Sequence, residues 1–469
     1  MLNQGIHSSS HFLAHHQLAT FNSTYIMDDP EYPEPAIEPA VSHLDSQPSD
    51  QHDQDQDQPQ EQKGPSLNLI AENAVIRSGS DINNEPSTKQ NYYTSAQWTA
   101  DGTSLIVSSA LNSISTFVLP EDLLDPSASR PRRLESQSSI SLPEPSQTVV
   151  AAPFYSLADP ATQTVLVGCR DHPVQLYHLF PPDDNGLASR SAPLASYKLI
   201  RRETEEYITP SSILWEASGS HFLVGSTNRL DYFDMTRPGS DGPLLTIPTI
   251  PSKRHISKGS GVGMKGTVAA LASSPVDANG SSVIAAGTWT RWMGLYDVHR
   301  SDKVVANWPL PRSEDIPGDI GGQGVVQVRW SPCGRYLILN ERHASGLIVY
   351  DIRGTGQLLC TLQGRSAPTQ QKMTMDIFTG DPYAEFPTFE VWAGTHDGGV
   401  AVWEGVGSQA GVVDPSWSWK PHDAPVGSTA LHSSGSVAAT CSGGWDFDNS
   451  SGTQTVFEES SVKIWSIGS

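Results

Sequence analysis

The sequence predicts an all-β protein, a ring of seven four-stranded blades (a β-propeller) behind a disordered acidic N-terminal tail. Three observations carry this. After residue 90 a block of short apolar runs separated by turns recurs seven times, each copy closing on an aromatic residue. Glycine (39) and proline (35) are frequent while charged residues make up only 17%, which favours many turns and short strands over long amphipathic helices. Half of the net charge of −22 sits in the first ninety residues, which hold fourteen Asp/Glu against three Lys/Arg.

The tail comes first. Its stretch "QPSDQHDQDQDQPQEQKGP" (47–65) has no aromatic or β-branched residue and cannot bury enough apolar area to offset its ordering entropy. Residues 1–64 are therefore expected to be disordered and 65–469 to form the propeller. The run "SLNLIAENAVI" (66–76) stands before the first copy, and its place becomes clear only at the other end of the chain.

The clearest copy is "GVVQVRWSPCGRYLILNERHASGLIVYDIRG" (324–354). Val326, Val328 and Trp330 alternate, Ser331-Pro332-Cys333-Gly334 turns the chain, and two further strands follow. The other copies align on their turns, Ala100-Asp101-Gly102, Ser218-Gly219, Ser274-Pro275 and Ser434-Gly435, and on their closing residues. These are Phe117, Tyr177, Phe233, Tyr296, Tyr350, Trp403 and Trp465, most of them followed by an acid. Fourth runs lie between copies, such as "LLTIPTI" (244–250), "VVANWPL" (304–310) and "LLCTLQG" (358–364). Seven such units read as WD repeats, whose usual length is ~40–45 residues, lengthened here by loops. One blade cannot bury both faces alone, but seven arranged radially bury one another. The last blade has only three strands after residue 426, so residues 66–76 are expected to supply its fourth and close the ring. Trp98, Trp215, Trp330, Trp403 and Trp465 are expected between blades. Tyr-Asp or Phe-Asp replaces Trp-Asp in most units, and the Gly-His step usual in such repeats is absent.

Several function classes find no support. The four cysteines (Cys169, Cys333, Cys360, Cys441) are widely spaced, so neither a zinc nor a disulfide framework follows, and a reducing compartment is expected. No apolar run approaches a membrane span, and the N-terminus lacks the basic flank of a secretory signal and the arginines of a mitochondrial one. The stretch "SKGSGVGMKGTVAALASSP" (257–275) imitates a phosphate loop. That loop needs G-x-x-x-x-G-K-[ST] opening a helix, whereas Gly263-Met264-Lys265 interrupts the spacing and "TVAALASSP" reads as the first strand of the fourth unit. No G-x-S-x-G elbow is present, and residues 65–469 hold no His/Cys cluster. Catalytic residues, metal ligands, cofactors and a small-molecule substrate are therefore not expected.

What remains is a surface. Connections between blades and loops between second and third strands open on one face, where Arg201, Arg202, Arg342, His343 and Arg365 mix with Glu203, Glu205, Glu206, Glu314, Asp315 and Asp397. The face is clearly basic only where blades three and four meet. There Arg229, Lys253, Arg254, Lys258, Lys265 and Arg291 cluster around Trp289, which is placed to stack on an unpaired base. A solvated charged rim is the plain alternative. Arg130-Pro131-Arg132-Arg133 could serve nuclear import or be ordinary surface.

Four stretches carry a resemblance. "FLVGSTNRLDYFDMTRPGSDGP" (222–243) has Gly, Asn-Arg, an aromatic and Arg-Pro-Gly in the order found in one blade of the telomerase Cajal-body WD-repeat family. "NYYTSAQWTADGTSLIVSSALNSISTFVLPEDLL" (91–124) and "VVAAPFYSLADPATQTVLVGCRDHPVQLYHLF" (149–180) resemble its first two blades, and "GSSVIAAGTWTRWMGLYD" (280–297) its Gly-Leu-Tyr run. The likeness covers roughly residues 91–404. It implies a non-catalytic, monomeric nuclear scaffold of the Cajal body or nucleoplasm, with the cytoplasm left open. The partners it implies are small nuclear or Cajal-body RNA (including the guide RNAs called scaRNA), telomerase RNA in animals, and their ribonucleoprotein proteins. A divergent branch of the family is tied to pre-mRNA splicing, and a protein-interaction propeller without direct RNA contact is the alternative. The Gln/Asp-rich tail and the Ser-rich loop 120–147 depart from the family.

Overall fold

The computed structural model describes residues 64–74, 91–125, 130–181, 192–201, 203–239, 241–250, 263–277, 281–354, 356–379, 388–448 and 453–468. Apart from two single 3-10 turns, every regular element among them is a strand. The strands form seven antiparallel four-stranded blades, first strand innermost; six run outward in chain order, and the seventh takes its outer strand from the N-terminal side of the chain.

Blade one is Tyr93–Trp98, Ser104–Ser109, Ser113–Val118 and Ser138–Ser141. Blade two is Ser146–Ala151, Thr164–Cys169, Val174–His178 and Ala195–Tyr197. Blade three is Ser212–Trp215, His221–Ser226, Arg229–Asp234 and Leu245–Pro248, and blade four Val268–Ser273, Ile284–Thr288, Trp292–Tyr296 and Val304–Pro309. Blade five is Val325–Trp330, Tyr336–Glu341, Gly346–Asp351 and Leu358–Gln363, and blade six Met375–Thr379, Phe389–Gly394, Val400–Val406 and Trp417–Trp419. Blade seven has Val426–Leu431, Val437–Ser442 and Ser461–Gly468, and a hairpin of Trp445–Asp448 with Thr453–Val456 rises between its second and third strands.

The repeat has a plain physical basis. Each closing aromatic lies in a third strand, and Phe117, Tyr177, Phe233, Tyr296, Tyr350 and Trp403 are all at most 1% exposed. The turns between first and second strands need one left-handed residue, and Gly102, Gly219, Gly334 and Gly435 supply it at φ between 69° and 73°. Hydrophobic clusters fill the spaces between sheets. Tyr336, Ile338 and Leu347 of blade five, for example, pack with Phe389, Val391 and Trp403 of blade six.

Innermost strands leave one edge without a ladder partner, and side chains of neighbouring blades satisfy it. Gln97 donates to the Val149 carbonyl and accepts from the Ala151 amide, joining blades one and two. Gln327 does the same with the carbonyl and the amide of Met375, joining blades five and six. The indoles of Trp98 and Trp330, each at the end of a first strand, donate back to Ala430 and Ala272 in the preceding blade. The five repeat tryptophans are not equivalent. Trp215, Trp330 and Trp403 are buried, but Trp98 and Trp465 are half-buried, the first edge-on to His432 and the second edge-on to Trp419.

Ser66–Ala74 is the fourth strand of blade seven. It runs antiparallel to Ser461–Gly468, with Leu69 opposite Trp465 and a bulge that puts Ile70 and Ala71 in the core. Residues 75 and 76 lie outside the described residues. Outer edges are blunted in a recurring way. The loop after the third strand of one blade reaches back, parallel, to the outer strand of the preceding blade. Arg132–Arg133 does this on Ser66–Ala74, Gly239 on Tyr197, and Gly411–Val413 on Leu358–Gln363. The short basic run is therefore part of the wall. Arg132 pairs with Asp122, and the neighbouring Leu134 is buried.

Candidate nucleic-acid interface at the channel mouth

The innermost strands enclose an axial channel of about 760 Å³. Connections between blades and hairpins between second and third strands meet at one of its mouths. The sequence signals concentrated at the junction of blades three and four on this face, and the structure redistributes them.

Arg229 spends its charge internally. Its Nε donates to Asp231 Oδ2 at 2.7 Å, its Nη2 pairs with Oδ1, and Thr246 donates to the same fully buried carboxylate. Arg291 lies at φ 62°, a left-handed position that a bulky residue rarely takes. Its guanidinium holds Glu341 of blade five in a two-pronged pair of 2.8 and 3.0 Å and donates to Ser313 as well. Glu341 is 1% exposed, so the pair staples blade four to blade five. Neither arginine is a free cation. Lys253, Arg254 and Lys258 lie outside the described residues. Arg365, read as part of the loop face, is buried instead. It donates to the Gly394 carbonyl and to Asn340 Oδ1, and burial pushes its pKa down to about 10.

Two of the expected residues stay available. Lys265 is exposed and makes no ion pair with a described residue. Its carbonyl accepts from Thr290, which fixes the connection into blade four against the hairpin carrying Trp289. Trp289 is 42% exposed, and the guanidinium of Arg342 lies 4.7 Å from its ring centroid. Arg342 is set by its own hairpin: its amide donates to the Gly324 carbonyl and its carbonyl accepts from Gln323. Its Nε is buried without a hydrogen-bond partner, and burial holds its pKa below the usual arginine value.

Beside it stands Lys372, on the connection from blade five to blade six. Its side chain is exposed and lines the channel. Desolvation by the surrounding ring, and then repulsion from Arg342, pushes its pKa down. The rim is completed by Tyr92, Gln371 and Trp445, with Gln371 donating to the Trp445 carbonyl. Arg342 and Lys372 are the residues that the basic-cluster criterion passes over. Each is isolated in sequence, thirty residues apart, and only ring closure brings their charges together. A stacked aromatic–guanidinium pair beside unpaired cations can hold a flat ring on one side and an anion on the other.

Other chemistry is thinly represented. Among the described residues no group of three His, Cys, Asp or Glu could hold a metal ion, and no helix is long and apolar enough to cross a membrane. His396 stacks edge-on against Phe457, and the run after Lys265 is the strand Val268–Ser273, not the helix a phosphate loop needs.

No family model matches the chain. It is 24% identical over 325 residues to Guanine nucleotide-binding protein negative regulator 1 of Schizosaccharomyces pombe, covering 69% of this chain and 73% of that protein. It is 24% identical over 370 residues to Telomerase Cajal body protein 1 of Homo sapiens, covering 78% of this chain and 59% of that protein. Protein SWT21 of Kluyveromyces lactis is 26% identical over 322 residues, 68% of this chain and 70% of the relative. The chain thus spans less than two thirds of the length of the telomerase Cajal body proteins it matches. Together with seven blades that close on buried third-strand aromatics, these likenesses make the chain a distant relative of the telomerase Cajal-body WD-repeat family.

Proposed function

We propose that the protein is a non-catalytic nuclear scaffold that binds small nuclear or Cajal-body RNA at the channel mouth and offers the rest of its ring to ribonucleoprotein proteins. One observation carries the reading: Trp289, exposed on the loop face, braced by Arg342 and flanked by the unpaired Lys265. Single-stranded RNA is read by stacking unpaired bases on such rings while lysines and arginines hold phosphates. The name of the mammalian relatives, Telomerase Cajal body protein 1, supports the nuclear and ribonucleoprotein part of the reading.

The test is crosslinking and sequencing of bound RNA, then filter binding of that RNA across a salt series. Trp289→Ala is expected to weaken binding by ~1–3 kcal/mol, the loss of one stacked base. Lys265→Glu is expected to weaken all RNAs alike and to flatten the salt dependence. Unchanged affinity in both variants, with circular dichroism intact, would remove RNA from this face. A second reading, a protein-interaction propeller, draws on Val304 and Val305 on the outer strand of blade four, 37% and 61% exposed. The fission-yeast relative, named for regulating a guanine nucleotide-binding protein, supports it too. On that reading Val305→Lys abolishes partner capture and Trp289→Ala does not.

A further inference from the structure

We propose that the channel mouth is a receptor for a terminal phosphate monoester, with Arg342 and Lys372 on the phosphate and the attached base against Trp289. In its RNA form this rests on the reading above. The phosphate site itself does not.

Charge balance is the first argument. The described residues lining the channel include three cations, Arg329, Arg342 and Lys372, and one carboxylate, Asp376. Arg329 and Asp376 neutralise each other at 3.2 Å. Arg342 and Lys372 have no carboxylate partner among the described residues, and both line the same channel. Two unbalanced cations lining one channel attract a counter-charge. The second argument is stereochemical. Arg342 is pinned through its backbone and its ring contact, yet its buried Nε has no acceptor. A guanidinium meets phosphate oxygens through paired N–H groups, and because the Nε is buried, any contact with a phosphate in the channel falls to the terminal Nη groups.

The third argument selects the monoester. Two cations match the charge of about −1.5 to −2 that a monoester carries at neutral pH, twice that of a backbone diester. An axial channel walled by Thr94, Ser428, Thr374 and Gln371 admits a chain end, or a small phosphorylated molecule, without having to pass a continuous backbone sideways. The ligand class is therefore a 5′- or 3′-phosphorylated nucleotide, borne by an RNA end or free in solution.

The experiment uses the full chain and short oligouridines carrying a 5′ phosphate, a 3′ phosphate or only hydroxyl ends, with free uridine 5′-monophosphate as a fourth probe. The phosphate-ended oligomers, one or both, are expected to bind about tenfold more tightly than the hydroxyl-ended one, the size of one charge-assisted contact. Lys372→Gln should erase that difference while leaving the hydroxyl-ended oligomer unaffected, and Arg342→Gln should erase it and weaken the hydroxyl-ended oligomer as well, because Arg342 braces Trp289. Binding of the monophosphate alone, lost in the same variants, would support the phosphate site and sink the RNA reading. Equal binding of all three oligomers, unchanged in both variants, would overturn the phosphate proposal and leave the RNA reading standing. No binding of any probe would overturn both.

Discussion

Two clusters of charged side chains lie on the same loop face, and they are built in opposite ways. In blade seven, His422 is fully enclosed and both its ring nitrogens have partners. Glu459 meets His422 Nδ1 at 2.8 Å and accepts from Ser461 at 2.6 Å, from Lys463 at 3.0 Å and from the Asp423 amide at 2.5 Å. His422 Nε2 meets the Thr440 hydroxyl at 2.7 Å, and that oxygen accepts from the Trp465 indole at 2.9 Å. Glu459 can only accept, so Nδ1 carries a proton, and in the neutral imidazole Nε2 accepts from the Thr440 hydroxyl. Burial, which pushes the His422 pKa down against the pull of Glu459, agrees with that tautomer. At the channel mouth, by contrast, Arg342 and Lys372 have charge without counter-charge. Saturated networks hold a fold together, and unsatisfied ones mark where something else is to bind. The contrast assigns stability to one cluster and recognition to the other.

The largest effect tests the lock of blade seven at its strand. Deleting residues 1–80 removes Ser66–Ala74 and exposes the Ser461–Gly468 edge, so the protein should aggregate or fail to fold. Deleting only residues 1–62 should leave the melting temperature unchanged. Equal melting of the two truncations would mean that the ring is closed some other way, and would also undo a domain boundary near residue 64.

A smaller effect follows at the side chains. Glu459→Gln should destabilise the propeller by ~3 kcal/mol in urea at neutral pH, because it leaves Lys463 with the Pro421 carbonyl but no counter-charge and disturbs the His422 pair. Burial acts to raise the Glu459 pKa, but hydrogen bonds from His422, Ser461, the Asp423 amide and Lys463 outweigh it and hold it far below an ordinary carboxylate. With its folded value depressed, its contribution is present above the unfolded pKa of about 4.3 and lost as pH falls below it. His422, also depressed in the fold, adds a loss that begins below about 6.5. Acid titration of stability should therefore be steeper in the parent than in Glu459→Gln. Parallel titrations would mean that the network is a geometric coincidence.

How much of this was legible in the sequence differs between the two regions for physical reasons. The ring itself was readable because its signals are local. A third-strand aromatic and a left-handed glycine recur wherever a blade turns, so Tyr350 and Gly334 mark the same features as Phe117 and Gly102. Arg229 could have been discounted from sequence, since residues two apart on a strand share a face and Asp231 follows it. Arg291 could not, because its partner Glu341 lies fifty residues on, in the next blade. The lock was hidden because Pro421-His422 lacks the glycine that flags such a step, and Glu459 follows a long hairpin. Arg342 and Lys372 stood apart in sequence and carried no motif, and ring closure alone makes them neighbours.

The smallest expected effect is the sharpest test of the contrast, because it should have the opposite sign to the Glu459 result. Removing a cation that serves the fold destabilises it, whereas removing one that only waits for a ligand does not. Lys372→Gln should leave stability at neutral pH unchanged or slightly raised, within the ~0.5 kcal/mol of an ordinary surface change. The pKa of Lys372 is lowered in the fold, so the unfolded chain holds its proton more tightly. Parent stability should accordingly rise as pH climbs from the folded pKa towards the unfolded value of about 10.4, and the variant should lack that increment. Inorganic phosphate sharpens the test further. A ligand that binds only the folded state raises the melting temperature by mass action, so phosphate should stabilise the parent more than Lys372→Gln, and Glu459→Gln as much as the parent. Destabilisation of Lys372→Gln in phosphate-free buffer would show that the lysine has a structural partner, and the two clusters would then differ in degree only.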